Sequence, residues 1–494
     1  MLPLHEAVRL NAARRGSMPA LVMPDRVITH AAFGERTSRL ATALRSLTGA
    51  NLRVGILLGN VPEHLETLFA IGAMGGCAVP MDPRWSPSEL AATLRFAPEV
   101  IIVDPAQRDA LRAACQTTGA SPRIVPLGPE YEALTQAQPH PPPDTHPQAD
   151  YLVAPTGGTT SGVKGTRISY RATVMRFLIQ AAEFGFNADD VYLAATPLFH
   201  GGARSFAMGH LYYGGAVVLD GRVPVDQVTH LVARHDVTLT FLVPTMLRDL
   251  AAARRPLGGR FRALIASGSR LEPDLRASLQ EHVTPHVYNY FASVEAGGIA
   301  VSRPTDPPSK CESVGRPVWG SEVRLLDASG APVAIGEVGR VAVYGPAISH
   351  GYLDDAAETD KAYVDGAVLT GDLASLDRDG FLTLSGRETD MIISGGINVH
   401  PAEIEAVLAS HPAVEHVAIL GVADPRWGEA VTAVVVRQPG ATVSAEDLQA
   451  YASQRLAAYK RPKRIVFRDA LPLSSMGKVA KQVLRTELER ESSP

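Results

Sequence analysis

Short apolar, β-branched runs alternate with amphipathic stretches through most of the first 390 residues, and this alternation leaves few folds open. Leu52–Leu58 (LRVGILL), EVIIVDP near residue 100, VYLAATP near 193, VTLTFLVP near 240 and ALIASGS near 265 are each too short for a core helix. With little alternation of polar residues, they read as strands covered on both faces. Helical patterns follow most of them, and Pro62 in Asn60-Val61-Pro62 marks a first helical position. Strand followed by helix, many times over, predicts an α/β fold of doubly wound parallel sheets with helices on their faces. No fixed-period repeat interrupts the pattern.

At 494 residues the chain is several times longer than a domain of about 150 residues, so two or three domains are expected. Gln138-Pro139-His140-Pro141-Pro142-Pro143 is the most proline-rich stretch and reads as an extended surface connector. The character changes again near residue 390, which divides a large region, 1–389, from a small α+β domain, 390–494. In the latter, VEHVAILGV and EAVTAVVV look like strands. Ser444, with Asp447 three residues on, opens a helix expected to run through Tyr459.

Forty-seven basic and 51 acidic residues give a formal charge of -4, so nothing in the overall balance favours a nucleic-acid partner. Cys77, Cys115 and Cys311 are odd in number and widely spaced, which supplies neither a disulfide framework nor a structural zinc site. A reducing cytoplasm fits them. The N-terminus carries Glu6 and several arginines ahead of any long apolar run, unlike a secretory signal. The stretch Leu68 to Met81 is interrupted by glycines and a proline and falls short of the ~20 residues that span a bilayer. No membrane segment is expected.

The strongest local signal is PTGGTTSGVKG, Pro155 to Gly165, directly after the apolar Tyr151-Leu152-Val153. Glycines, hydroxyl side chains and one lysine in a loop offer N–H donors, O–H donors and a cation to phosphate oxygens. A nucleoside triphosphate is the natural ligand. Lys164 lies between Val163 and Gly165, so this is not a Walker A loop. A flexible turn is the alternative.

The loop resembles the phosphate-binding loop of the adenylate-forming acyl-CoA synthetases, relatives of carrier-protein adenylation domains and luciferases. Thr156, Gly158, Thr159, Thr160, Lys164 and Gly165 are in register, while Pro155, Gly157, Ser161 and Val163 depart from the family pattern. Further segments match in the family's order. PLFHGG resembles the segment bordering the acid pocket, which points to Phe199, His200 and Gly201, with His200 among the catalytic candidates. Arg204 adds a cation for a second carboxylate or another anion, against the alternative of an ordinary ion pair. SGSRLEP resembles the turn beside adenine, where Gly268 permits close backbone approach. NYFASVE implies nucleotide contacts from Asn289 and Phe291, with Phe291 stacked on adenine and Glu295 holding Mg²⁺. Ala292 and Val294 replace the family's Gly and Thr.

LTGDLA places Asp372 where the family holds the ribose hydroxyls, a task suited to an acceptor-only group. The alternative for Asp372 is an Asx turn before a helix, and for Arg387 a surface salt bridge. GRETDMIISGGINVHPAEIE resembles the long family motif in which Arg387 reaches ribose or phosphate and Asp390 is the hinge of a mobile C-terminal domain. PLSSMGKVAKQ places Lys478 at the catalytic lysine, acting by charge on the α-phosphate. DPRWGEA and AAYKRPKR resemble the coenzyme A surface of aryl- and acyl-CoA ligases, through Trp427, Lys460 and Arg461.

The resemblance therefore implies an AMP-forming acid:CoA ligase with ATP, Mg²⁺ and coenzyme A as cofactor and co-substrates. Residue 200 is histidine where amino-acid adenylation domains carry an aspartate, which disfavours an α-amino acid and favours an aromatic or compact one. A second nucleophile other than CoA, a non-catalytic nucleotide-binding homologue, and assembly as a homodimer all stay open.

Overall fold

The computed structural model describes all residues except 159–161, 222, 269–270, 395–396, 425, 474–478 and 493–494. Packing divides the chain into two compact units, one formed by Met1–Val323 with Val343–Val368, the other by Arg324–Ala342 with Leu369–Pro494. Residues 324–342 and 369–389 thus group with the C-terminal residues.

The first unit holds two α/β sheets. In the nine-stranded one, Val287–Ser293, Ala263–Ala266, Leu239–Leu242, Val191–Leu193, Ala216–Val218 and Pro19–Val22 run parallel in that spatial order, with antiparallel strands at both edges. In the six-stranded sheet, Arg123–Pro126, Val100–Val103, Arg53–Leu57, Cys77–Pro80 and Asp150–Gly158 are parallel, and Gly162–Ser169 folds back against the last. Val100–Val103 and Leu239–Leu242 are buried at every position, the first as its unbroken apolar sequence requires and the second with the Thr240 hydroxyl satisfied by the Leu193 carbonyl at 2.9 Å. Pro62 opens the helix Pro62–Met74, whose missing N–H is no loss in the first turn.

The second unit contains its own sheet, in which the long antiparallel pair Val414–Asp424 and Gly428–Arg437 is flanked by Ile392–Ser394 and Arg464–Phe467. Ser444 and Asp447 form the expected capping box. The helix they open ends at Ser453, not at Tyr459. Arg461 donates to the carbonyls of Ser453 and Leu456, at 3.0 and 3.1 Å, and so satisfies the acceptors of an early helix end. Among the described residues no helix is long and apolar enough to cross a membrane, and the three cysteines are free thiols.

Two fully buried histidines tie stability of the first unit to pH. Burial lowers His64 from 6.5 to about 3 and His210 to about 4. Between pH 6.5 and 4 the unfolded chain binds these protons and the folded chain does not, so stability falls on acidification. We expect each histidine to account for about 2 kcal/mol between pH 7 and 5. The His64→Asn variant, which keeps a donor toward the carbonyls of Leu58 and Gly59, should show a flatter dependence of thermal unfolding on pH. An unaltered slope would contradict this origin.

Candidate functional site

In the first unit, the strand Asp150–Gly158 and its partner Gly162–Ser169 form a hairpin, with Thr156 opposite Lys164 and Gly158 opposite Gly162. The described flanks of the glycine- and hydroxyl-rich motif are therefore paired antiparallel strands, and no helix follows it directly. The Thr156 hydroxyl donates to the Lys164 carbonyl at 3.5 Å. A Cβ at Gly165 would sit 2.7 Å from the Phe96 ring, so that glycine answers to packing. Thr159 and Thr160 lie outside the described residues.

The Lys164 ammonium meets the Glu358 carboxylate at 2.5 Å and stands 5.0 Å from the centre of the Tyr352 ring. Hydrogen bonds from Lys164 and then Lys361 hold Glu358 at about 2, below the usual carboxylate range. The Tyr352 hydroxyl in turn donates to Glu295 Oε1 at 3.2 Å. One aromatic side chain thus locates both a cation and a carboxylate. The backbone of Val294 and Glu295 is held by the half-buried Arg176, whose guanidinium donates to both carbonyls at 2.9 and 3.3 Å. Val294 packs partly against the main apolar core, an apolar contact a threonine hydroxyl would weaken.

Glu295 suits magnesium brought in by a nucleotide. Its Oε2 has no hydrogen-bond partner among the described residues, which also hold no cluster of three or more metal-ligating side chains. One carboxylate completed by phosphate oxygens is how magnesium is commonly held, unlike an all-protein cage.

Asn289 and Phe291 stand on the strand Val287–Ser293, which pairs antiparallel with Gly297–Ser302; Asn289 is buried and Phe291 half-buried. The turn after Ala263–Ala266 is anchored by Ser267, whose hydroxyl donates to the Tyr290 carbonyl at 2.6 Å. Gly268 there has φ of +96°, a backbone conformation that glycine adopts without strain.

Phe199 and His200 close the approach to the helix Gly201–Tyr213, with His200 in the cap position. Their rings meet edge to face at 4.6 Å. Arg84 lies over Phe199 at 5.0 Å and reaches His200 Nε2 at 3.2 Å. The buried carboxylate of Asp82 orients Arg84 through bonds of 2.9 and 2.6 Å. Burial lowers His200 to about 4, with Arg84 and Arg204 adding to the effect and Asp82 opposing it. The imidazole is therefore neutral at pH 7 and can accept or donate a hydrogen bond without carrying charge. Only one of the paired glycines leaves space. A Cβ at Gly202 would strike the Phe241 ring at 2.6 Å, whereas one at Gly201 meets nothing nearer than Arg204 Nη2 at 3.9 Å.

In the second unit, Asp372 stands on the strand Ala367–Leu376 directly opposite Arg387 on Leu382–Arg387, and the two are joined by an ion pair of 3.2 Å. Asp372 is neither in an Asx turn nor before a helix. Asp390 ends a short helical turn, Glu388–Asp390, inside this unit. Trp427 has the Lys463 ammonium 5.1 Å and the Arg426 guanidinium 4.9 Å from its ring, which brings the two CoA-like segments together. Lys460 is paired with Glu403 at 2.6 Å, and Arg461 serves the helix end described above. Lys478 lies outside the described residues.

Comparison with known proteins decides the family. The model of the AMP-binding enzymes matches residues 8–353, and that of the AMP-binding enzyme C-terminal domain matches 403–478. The chain belongs to the AMP-binding enzyme family. It is an AMP-forming acid–thiol ligase, using ATP and coenzyme A with a carboxylic acid.

This AMP-binding enzyme is 33% identical to the indoleacetate–CoA ligase of Aromatoleum aromaticum, with 99% of each chain covered. It is 34% identical to a feruloyl-CoA synthase of an Amycolatopsis species, with 93% of each covered. Among solved structures, ATP-bound MatB from Rhodopseudomonas palustris aligns over the whole of both chains with a TM-score of 0.92 and 26% identity.

Four contributors to the AMP-binding enzyme's site escaped the sequence reading. Tyr352, Glu358, Arg176 and Arg84 belong to no motif singled out there. The string His350-Gly351-Tyr352 and the acidic residues after it carried a signal only in hindsight, because their partners lie far away in the chain.

Proposed function

We propose that this AMP-binding enzyme activates an aromatic or otherwise compact carboxylic acid as its acyl-adenylate and passes the acyl group to coenzyme A in the cytoplasm. The reading is carried by one observation: Tyr352 holds Lys164 at its ring and Glu295 at its hydroxyl. A triphosphate needs a mobile cation and an oxygen ligand for its counter-ion within reach of one another.

Lys164 exchanges the Glu358 carboxylate for phosphate oxygens, which is possible because an ammonium is a point charge without fixed geometry. Glu295 would hold Mg²⁺, which when bound offsets phosphate charge and polarises phosphorus–oxygen bonds. Phe291 supports the base. Asp372 accepts the ribose hydroxyls, with Arg387 orienting that carboxylate through their ion pair. His200 and Phe199 border the acid, and the neutral imidazole lets the carboxylate approach without being trapped in an ion pair. The acid oxygen attacks the α-phosphorus as pyrophosphate leaves, with Lys478 as the cation for the charge developing there. In the second half-reaction the CoA thiolate attacks the acyl carbon and AMP leaves. Movement about Asp390 separates the two steps, and Trp427 with Lys460 and Arg461 receives CoA.

A panel of carboxylic acids with Mg-ATP, read by pyrophosphate release with and without CoA, tests this reading. Acid-dependent pyrophosphate, steady turnover only with CoA, and AMP equal to thioester are expected. Equal turnover without CoA would assign a different nucleophile, and no acid-dependent pyrophosphate would remove the adenylation reading.

A further inference from the structure

Arg204 is a guanidinium buried inside the first unit, with 4% of its surface exposed. Among the described residues its side chain makes a single hydrogen bond, from Nη1 to the Phe199 carbonyl at 3.0 Å, and no ion pair. The ordinary ion pair that its sequence context allowed is therefore absent among the described residues. The titratable groups that interact electrostatically with it, Tyr151, Arg176, His64 and His200, include no carboxylate. A guanidinium has five N–H donors, and leaving a charged group unpaired away from water is costly. A second observation places the guanidinium beside Gly201: a Cβ built there would meet nothing nearer than Arg204 Nη2, at 3.9 Å, so the helix start leaves that side of the guanidinium uncrowded. Arg204 also follows His200 by one turn of the helix, its N–H donating to the His200 carbonyl at 3.1 Å. The two side chains thus share one helical face, separated by a rise of roughly 6 Å.

We propose that Arg204 selects the acyl substrate: the acid bears a second carboxylate, which pairs with this guanidinium while the reacting carboxylate lies beside His200. The spacing calls for a compact diacid, its carboxyl groups separated by about one helical turn or slightly more. This inference rests on the adenylation reading above, because it assigns the remote end of the acid in that reaction.

The test compares diacids with their own monomethyl esters, which keep the size and remove one charge. Benzene-1,3- and benzene-1,4-dicarboxylate, butanedioate, pentanedioate and hexanedioate serve as probes, with benzoate and hexanoate as simple monoacids, all read by pyrophosphate release. For at least one diacid we expect kcat/KM to exceed that of its half-ester by roughly 10- to 100-fold, the value of a hydrogen-bonded charge. In Arg204→Gln that ratio should collapse to near unity, mainly through KM, and Arg204→Lys should restore part of it. AMP binding and thermal unfolding of each variant report whether the fold is retained. Half-esters or monoacids used as well as every diacid would overturn the inference and leave adenylation standing. So would an equal loss on diacid and half-ester in Arg204→Gln with AMP binding intact. Absence of pyrophosphate from every acid would remove the adenylation reading, and this inference with it.

Discussion

Replacing Glu295 by Gln lowers acid-dependent pyrophosphate release by roughly 10²- to 10³-fold, the effect typical of removing one electrostatic contact from a reacting centre. The substitution is nearly isosteric, and the amide oxygen still accepts the Tyr352 hydroxyl now bonded to Glu295 at 3.2 Å. The carbonyls of Val294 and Glu295 remain available to Arg176. What disappears is negative charge, and with it a hard oxygen ligand for magnesium. The loss should concentrate in kcat and in the dependence on magnesium concentration, while the unfolding temperature stays within a few degrees of the parent. Activity within threefold of the parent would show that Glu295 does not face the nucleotide's counter-ion.

Replacing Arg36 by Met destabilises the first unit by about 3–5 kcal/mol, because it strands a buried charge. Glu66 on the helix Pro62–Met74 has no exposed side-chain surface, and Arg36 clasps it through bonds of 2.6 and 3.0 Å. The same guanidinium holds Glu132 through two bonds of 3.0 Å, and Tyr131 donates to Glu66 at 3.1 Å. Burial already raises Glu66 above its ordinary value, with Arg36 opposing. Without Arg36 the raised carboxyl favours its protonated form, so folding gains from this group below its unfolded pKa and loses it as pH rises. The deficit of Arg36→Met should therefore be greatest at pH 8 and shrink toward pH 5. Converting the partner as well, in Arg36→Met with Glu66→Leu, should recover much of the loss. Chemical denaturation at both pH values measures this, and a pH-independent deficit would point to lost packing alone.

The chain's local chemistry announced a good part of this architecture. Val100–Val103 is a strand because an unbroken β-branched run must be covered on both faces. Ser444 and Asp447 form a capping box because their spacing permits nothing more distant to compete. The motif order from Pro155 to Lys478 likewise points to the family from the sequence alone.

Only the tertiary structure decided how the charges are partnered. Lys164 and Glu358 lie 194 residues apart, Glu295 and Tyr352 lie 57 apart, and no periodicity reports pairing over such separations. The helix expected to reach Tyr459 stops at Ser453, where Arg461 comes back from beyond its end to bond the Ser453 carbonyl. Arg204 shows the difference most sharply. In sequence it is a cation for a second carboxylate or another anion, or else half of an ordinary ion pair, and folding buries it with no carboxylate among the described residues to meet it. Periodicity and capping act between neighbours and are written in sequence order. Desolvation and charge pairing depend on what distant segments bring to the same place, so they exist only once the chain has closed around them.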